Sequence, residues 1–338
     1  MEVQKEVSSQ SAEAQFRVVV SDVSLDSDAP LSLDQIQELP SLIPFAVSPV
    51  LSPIPSPATS SIPSPIAQQT QFKRIQSPSS INTHRQCPRK YYYQYVEKLP
   101  TRPSIHLVRG KLAHSVLEDF FKIDVSLITM ENYSFLMKLM INELFKKHWN
   151  NSLPELESLQ LSQEDFLFYY NETNEMVNDW CDLFLQKLNQ EIQQFSLHEA
   201  YNRLKPMTEL QYSSQTLGVR GFVDAIFRIG DDVKIMDYKT SKKDKITEDY
   251  KLQLAIYALL YKETHGIMPK IVGIDFLKHG ERFLEVDEQL LDFAKKECAL
   301  IHIRTQSDNV KEYPKKITSL CKWSTGQCDF YGTCVKSD

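Results

Sequence analysis

Three charged side chains interrupt an apolar stretch of the sequence, and their spacing could position a metal ion. Residues 219–245 have the pattern of two short strands joined by a turn at Gly230-Asp231-Asp232. Asp224 lies within the first strand, and Asp237 and Lys239 end the second. Because paired strands lie about 5 Å apart, a hairpin can bring the two carboxylates together. Two carboxylates at one point repel each other unless a cation lies between them.

The residue types favour a hard cation and suggest a role for the lysine. Carboxylate oxygens are preferred by Mg²⁺ and Mn²⁺, which keep bound water molecules. Lys239 is two residues from Asp237, so both side chains leave the same face of the strand. An ammonium group there could orient a water molecule or stabilise developing negative charge. The simpler interpretation, an exposed hairpin end, explains any one of these residues but is weaker for all three together.

The order of these residues resembles the PD-(D/E)XK nucleases, in particular their RecB-like exonuclease branch. Gly221-x-x-Asp224, followed by Asp237-Tyr238-Lys239, looks like the core of that superfamily. The resemblance implies an α/β fold with a restriction-endonuclease-like core, in which helices flank a small mixed sheet, and a helical insertion. It also implies that Lys239 positions the attacking water. The implied metal ligands are His114, Asp224, Asp237 and the Tyr238 carbonyl.

Further motifs extend the resemblance along the chain. His114 follows a glycine by four residues at the start of a predicted helix, although a lone histidine on an apolar helix is more often a core or surface residue. Gln253 and Tyr257 are four residues apart and therefore lie on one face of a helix. The resemblance implies that these two side chains contact the active site or DNA. Glu209, on a predicted strand, is either a further active-site carboxylate or a solvent-facing residue, and the two interpretations are about equally good.

Half of the six cysteines lie close together near the C-terminus: Cys321, Cys328 and Cys334. The resemblance, here to AddB-type and CRISPR-associated nucleases, supplies Cys87 as a fourth ligand. Four cysteines could bind Zn²⁺ or a 4Fe-4S cluster, and the residues alone do not separate the two. The resemblance implies a structural 4Fe-4S cluster, although the Cys321–Cys328 spacing is longer than is usual for it. Cys181 and Cys298 are predicted to be core residues.

The net charge of −6 hides a strong segregation of charge along the chain. Residues 1–70 carry eight acidic and two basic side chains, whereas residues 71–111 carry nine basic side chains and one acidic one. A local basic patch matters more for phosphate binding than the total charge. Basic residues here are interleaved with tyrosines, of which two of four are expected in the core. The predicted contacts with nucleic acid are Arg89, Lys90, Tyr91 and Arg109.

Composition predicts two regions. Residues 1–72 hold nine of the 17 prolines and are expected to be a disordered, Pro/Ser-rich tail. Residues 73–338 are expected to form the nuclease domain, with the helical insertion at about 125–205 and the cysteine-rich segment at 321–334. No apolar run is long enough to span a bilayer, and the N-terminus resembles neither a signal nor a transit peptide. The expected location is therefore the cytoplasm.

These observations predict a Mg²⁺- or Mn²⁺-dependent DNA nuclease. By resemblance it is an exonuclease on single-stranded ends, acting in DNA repair, recombination or defence. The alternative is a non-catalytic DNA-binding or scaffold subunit, against which the intact set of two aspartates and a lysine argues. The sequence has no P-loop motif, so an ATP-driven motor would have to come from a helicase partner.

Overall fold

A five-stranded mixed sheet lies at the centre of the computed structural model, which describes residues 72–126, 128–324 and 326–336. The strands are β1 (Met207–Ser214), β2 (Val219–Ile229), β3 (Asp232–Lys239), β4 (Ile271–Phe276) and β5 (Gly280–Glu285). They lie side by side in chain order; β3 and β4 are parallel, and the other neighbours are antiparallel. The predicted small mixed sheet is therefore confirmed. The predicted tail, apart from its last residue, lies outside the described residues.

Helices flank this sheet. They are α1 (Pro78–Gln86), α2 (Pro88–Tyr91), α3 (Ile105–Phe120), α4 (Tyr133–Asn151), α5 (Leu153–Ser158), α6 (Gln163–Glu191), α7 (Leu197–Leu204), α8 (Glu248–His265), α9 (Glu288–Arg304) and α10 (Tyr331–Lys336). A π-helical turn, Tyr92–Val96, continues α2, and a two-stranded ribbon precedes α10. Helices α4 to α7 lie in the stretch predicted as a helical insertion. Among the described residues, no helix combines the length and the apolar character needed to cross a membrane.

The β2–β3 hairpin forms as the sequence predicts. Gly230 adopts a φ of +62° at the turn, a conformation that glycine reaches without steric cost. From there the strands pair as far as Ala225 and Met236. The pairing ends at this point, and the next residues along the two strands are Asp224 and Asp237. The two carboxylates therefore lie where β2 and β3 separate.

The two faces of the sheet are covered by different helices. Helix α8 lies on one face, where a Cβ atom added to Gly221 would be only 2.9 Å from the Tyr257 ring. Asp237 of β3 contacts this helix through Gln253. The next residue, Tyr238, instead contacts the Trp180 ring of α6, with ring centroids 6.4 Å apart. Since successive side chains of a strand point to opposite faces, α6 and the other helices of the insertion lie on the face opposite α8.

The first helix is shorter than the sequence pattern predicts. The pattern favours a single helix continuing through the tyrosines, but α1 ends at Gln86 and α2 begins at Pro88. Between them, Cys87 has an extended backbone with φ −161° and ψ 114°. The proline explains the break, because its ring disfavours a helical conformation in the residue before it. The break leaves Cys87 at a corner of the chain.

A glycine in β4 provides a test of how tightly the sheet is packed. A Cβ atom at Gly273 would lie 2.6 Å from the backbone carbonyl oxygen of Arg282 on β5, which the strand ladder holds in place. We expect Gly273→Ala to lower the free energy of unfolding by about 1–3 kcal/mol, as other overpacking substitutions do. Urea denaturation measures this. In Gly332→Ala the new Cβ meets no atom within 4 Å, so this variant is the neutral control; equal stability of the two variants would contradict the described packing.

Candidate active site

Asp224 lies at the centre of the site, in the gap where β2 and β3 separate. Its side chain is 8% exposed. The backbone N–H of Tyr238 donates to its Oδ2 atom at 2.8 Å, and the Nδ1 atom of His114 lies 3.3 Å from the same oxygen. Burial raises the pKa of this carboxyl, but the hydrogen bond and charge of His114, the charge of Lys239 and the hydrogen bond from Tyr238 together lower it below its ordinary value. Asp224 is therefore held as a carboxylate.

His114 connects α3 to the end of β3. Its Nε2 atom lies 2.8 Å from the carbonyl oxygen of Tyr238, and because a carbonyl can only accept, the imidazole N–H donates. Burial lowers the pKa of His114, but the hydrogen bond and charge of Asp224, together with the charge of Asp237, raise it above its ordinary value. The structure thus brings His114 next to two residues of the β2–β3 hairpin, Asp224 and Tyr238, which are 110 and 124 positions later in the sequence (224 − 114 and 238 − 114).

Asp237 is held from two sides. The Nε2 atom of Gln253 donates to its Oδ1 atom at 2.8 Å, and Lys239 forms an ion pair with its Oδ2 atom. Gln253 Nε2 is also 2.8 Å from the Tyr257 hydroxyl. Burial lowers the pKa of Lys239, but the Asp237 and Asp224 charges raise it further, so the ammonium stays protonated at neutral pH. All four side chains therefore belong to one hydrogen-bonded network beside Asp224.

Glu209 joins this site from the neighbouring strand β1. It has a φ of +51°, an uncommon conformation for a residue other than glycine, and this turns it out of the regular ladder. Donor atoms of His114, Glu209 and Asp224 lie within 4.8 Å of one another. Burial, and then the negative charge of Asp224, raise the pKa of Glu209 to about 7. Asp237 is not part of this close group, and its carboxylate contacts Gln253 and Lys239 instead.

The donor set of this pocket fits a divalent cation. Burial and then the Asp224 charge hold Glu209 partly protonated, and a cation between the two carboxylates would remove that repulsion. Two carboxylates and one imidazole are ligands that Mg²⁺ and Mn²⁺ accept.

Arg109 does not lie on a surface that nucleic acid can reach, so its predicted role is corrected. Its side chain is 3% exposed; Nε donates to the Thr173 hydroxyl at 2.7 Å, and Nη2 pairs with Glu172 at 2.7 Å. Lys278 pairs with the same glutamate at 2.9 Å. This buried network fixes the start of α3 against α6 and thereby positions His114. Sequence reasoning missed Glu172 because it lies on a long helix among other acidic residues, with no pattern that indicates its partner.

The predicted nucleic-acid contacts of Tyr91 and Arg89 are also incompatible with the structure. Tyr91 is fully buried, and its ring stacks at 6.1 Å on that of Tyr313. Arg89 is 9% exposed, and its Nε atom donates to the Tyr313 carbonyl at 2.8 Å. Both side chains hold the C-terminal segment onto α2. Lys90 is half-buried, where its Nζ atom donates to the Gln86 side chain.

A cavity of about 220 Å³ lies between α2 and the C-terminal segment. All four of the predicted cysteine ligands line it: Cys87, Cys321, Cys328 and Cys334. The basic side chains of Lys90 and Lys316 also line this cavity. The structure thus brings together four cysteines that are up to 247 positions apart in the sequence (334 − 87 = 247). Cys181 and Cys298 lie elsewhere, buried in the core as predicted.

Comparison with known proteins assigns the chain to a family. Residues 76–334 match the PD-(D/E)XK nuclease superfamily. The match spans well over half of the chain, so the protein belongs to this superfamily of nucleases, which hydrolyse phosphodiester bonds.

Individual similar proteins come from phages and a bacterium. The Gene 69 protein of Mycobacterium phage L5 is 24% identical over 230 residues, which are 62% of this chain and 77% of the phage protein. The Gene 69 protein of Mycobacterium phage D29 is also 24% identical over 230 residues, 63% of this chain and 78% of the phage protein. A crystal structure of a candidate exonuclease from Eubacterium rectale has a TM-score of 0.44 and 12% identity, covering 77% of this chain and 92% of that chain.

The raised pKa of Glu209 makes the stability of the metal-free protein depend on pH. Folding raises this pKa from 4.5 to about 7, so between these values the folded state binds a proton that the unfolded state has released. The free energy of unfolding then falls as the pH rises through this range. We expect the Tm in EDTA to drop less between pH 5 and pH 8 for Glu209→Gln than for the wild-type protein. The exposed Glu175→Gln is the control, and an equal drop in all three proteins would refute the raised pKa.

Proposed function

We propose that this PD-(D/E)XK superfamily member is a Mg²⁺- or Mn²⁺-dependent deoxyribonuclease. The observation that carries the proposal is the convergence of His114, Glu209 and Asp224 within 4.8 Å, beside the Asp237–Lys239 ion pair. A binding protein gains nothing from several repelling carboxylates at one point, whereas a metal-dependent hydrolase needs them. A bound cation would polarise the scissile phosphate and lower the pKa of a bound water molecule.

The proposed ligands come from four elements. His114 of α3, Glu209 of β1 and Asp224 of β2 form the closest group, and Asp237 and the Tyr238 carbonyl of β3 complete the set. In the structure His114 Nε2 donates a hydrogen bond to the Tyr238 carbonyl oxygen. For both atoms to bind the cation, this hydrogen bond would have to break and Nε2 would have to release its proton.

Lys239 would act as a fixed cation rather than as a base. The negative charges of Asp237 and Asp224 keep its ammonium protonated, so it cannot accept a proton from water at neutral pH. It can donate hydrogen bonds to the attacking water and to a phosphate oxygen, which stabilises the charge that develops there. Gln253 is a positioning residue: it fixes Asp237, and through Asp237 it fixes the lysine. Tyr257 holds Gln253 in turn.

The finer assignment is a RecB-like exonuclease that degrades single-stranded DNA ends in the cytoplasm, in repair, recombination or defence. It rests on the order of motifs in the sequence, from Cys87 and His114 to the three C-terminal cysteines. A helicase partner is part of this proposal, because the sequence has no P-loop motif of its own.

The four cysteines that line the 220 Å³ cavity are proposed to bind a 4Fe-4S cluster. Four thiolates around one Zn²⁺ ion, at about 2.3 Å each, would lie about 3.8 Å apart. Among the described residues, no three cysteine sulfur atoms lie within 4.8 Å of one another. A four-iron cluster separates its thiolates further, because each binds a different iron atom. The lysines at the cavity suit the negative charge of either group, so the separation of the sulfur atoms is what makes zinc the weaker alternative.

Substitution of the site residues tests the proposed chemistry. We expect Asp224→Ala and Lys239→Ala each to lower the rate of DNA cleavage with Mn²⁺ by about 100- to 1,000-fold or more, because each removes charge stabilisation from the reacting phosphate. Gel assays of a labelled single strand, with and without EDTA, measure the rate. The exposed pair Asp292 and Lys295 offers matched controls, Asp292→Ala and Lys295→Ala. Full activity in Asp224→Ala would exclude the assignment.

Metal analysis tests the cysteine site separately. We expect protein purified without oxygen to absorb broadly near 400 nm and to contain about four iron atoms per chain. Cys87→Ser should lose both signals, whereas Cys181→Ser, at a buried cysteine away from the cavity, should keep them. One zinc atom per chain and no iron would overturn the cluster and leave a structural zinc site.

A further inference from the structure

One face of the β1–β2 hairpin is open to solvent beside the candidate active site. Helix α8 covers the opposite face, since it contacts Gly221 of β2 and since the Tyr212 ring of β1 lies 5.9 Å from the Tyr261 ring. Alternate side chains of these strands therefore point away from α8. We call this surface the open hairpin face. It is formed by four exposed side chains, Arg220 and Phe222 of β2 and Gln211 and Ser213 of β1.

The open hairpin face leads directly to the proposed metal ligands. Asp224 follows Phe222 by two residues on β2, and Glu209 precedes Gln211 by two residues on β1. At the rise of a β-strand, two residues span about 7 Å. Phe222 is 51% exposed and pairs across the hairpin with polar Gln211. An exposed aromatic ring so near a phosphate-hydrolysing site is suited to stacking on a nucleic-acid base.

A basic cleft continues this surface beyond Arg220. The cleft has a volume of about 620 Å³ and is lined by four cationic side chains: Lys73, Arg74, Lys98 and Arg220. Asp308 pairs with Lys73 and Arg74. Within the part of the chain that the structure describes, no salt bridge includes Lys98 or Arg220. The cleft therefore carries net positive charge, and it lies where a nucleic-acid strand that extends beyond Phe222 would pass.

The backbone fixes this cleft to the sheet. The N–H group of Arg220 donates to the carbonyl of Gln76 at 2.9 Å, and the N–H group of Gln76 donates to the carbonyl of Gly218 at 2.8 Å. The segment that carries Lys73 and Arg74 is thus hydrogen-bonded through Gln76 to the start of β2, beside Arg220.

We propose that the open hairpin face and the basic cleft form a binding track for single-stranded DNA. Phe222 stacks on a base next to the scissile phosphate, and Arg220 and Lys98 contact phosphates further along the strand. The occupant is a single strand because bases in a duplex are stacked on each other and cannot present a face to Phe222. The inference rests on the proposed nuclease function and adds the path by which its substrate reaches the carboxylates.

Fluorescence anisotropy in EDTA, which prevents cleavage, tests the track with a labelled 15-mer of thymidine and a labelled 15-base-pair duplex. We expect Phe222→Ala to weaken binding of the single strand by about 5- to 150-fold, and Phe222→Trp to retain binding. Phe283→Ala, at a comparably exposed aromatic residue on β5, should bind as the wild-type protein does. Unchanged binding in Phe222→Ala, or tighter binding of the duplex than of the single strand, would overturn the proposal.

The salt dependence of binding tests the interactions with phosphate groups. Removing one cationic side chain that binds a phosphate should reduce the slope of log K against log salt concentration by about 0.7 for a single strand. We expect this in Arg220→Ala and in Lys98→Ala, but not in Lys296→Ala, at an exposed lysine of α9. An unchanged slope in both track variants would exclude these phosphate interactions. Cleavage by the wild-type protein with Mn²⁺ is measured separately, so failure of the nuclease function is distinguished from failure of the track.

Discussion

The site depends on one hydrogen bond at the point where β2 and β3 separate. The N–H group of Tyr238 would find a partner in a continuous antiparallel ladder, but beyond the Ala225–Met236 pair it donates to the carboxylate of Asp224 instead. The carboxylate of Asp224 thus replaces a backbone carbonyl as the partner of the buried Tyr238 N–H group. The backbone donor stays satisfied, and the carboxylate is held inside the sheet. The separation also leaves the Tyr238 carbonyl free to accept from His114 of a distant helix.

The charges around this hydrogen bond are arranged in two groups. Lys239 and Gln253 hold Asp237 on the side of α8. His114 and Glu209 lie with Asp224 on the other side, where burial and then the charge of Asp224 raise the pKa of Glu209 to about 7. Asp237 is thus paired with Lys239, whereas Asp224 and Glu209, with His114, form the closest group of possible ligands for a cation. A buried network around Arg109 keeps the helix that carries the histidine in place.

Local sequence patterns predict the hairpin and the sheet, because turn residues and alternation act over a few positions. Whether Glu209 belongs to the active site could not be decided from sequence, since its position there depends on a φ of +51° and on burial beside α3. The prediction for Arg109 was wrong for a related reason: a basic residue binds phosphate only if no buried acid neutralises it, and its partner Glu172 is 63 positions away (172 − 109 = 63). Pairings between distant elements require the fold.

The most direct test of the central claim is a crystal structure of the protein soaked in Mn²⁺, with anomalous diffraction measured at the manganese edge. We expect an anomalous peak within bonding distance of Asp224, Glu209 and His114. Soaked crystals of Asp224→Asn should show a weaker peak or none. A peak elsewhere, or an empty pocket in crystals of protein that cleaves DNA with Mn²⁺, would contradict the account.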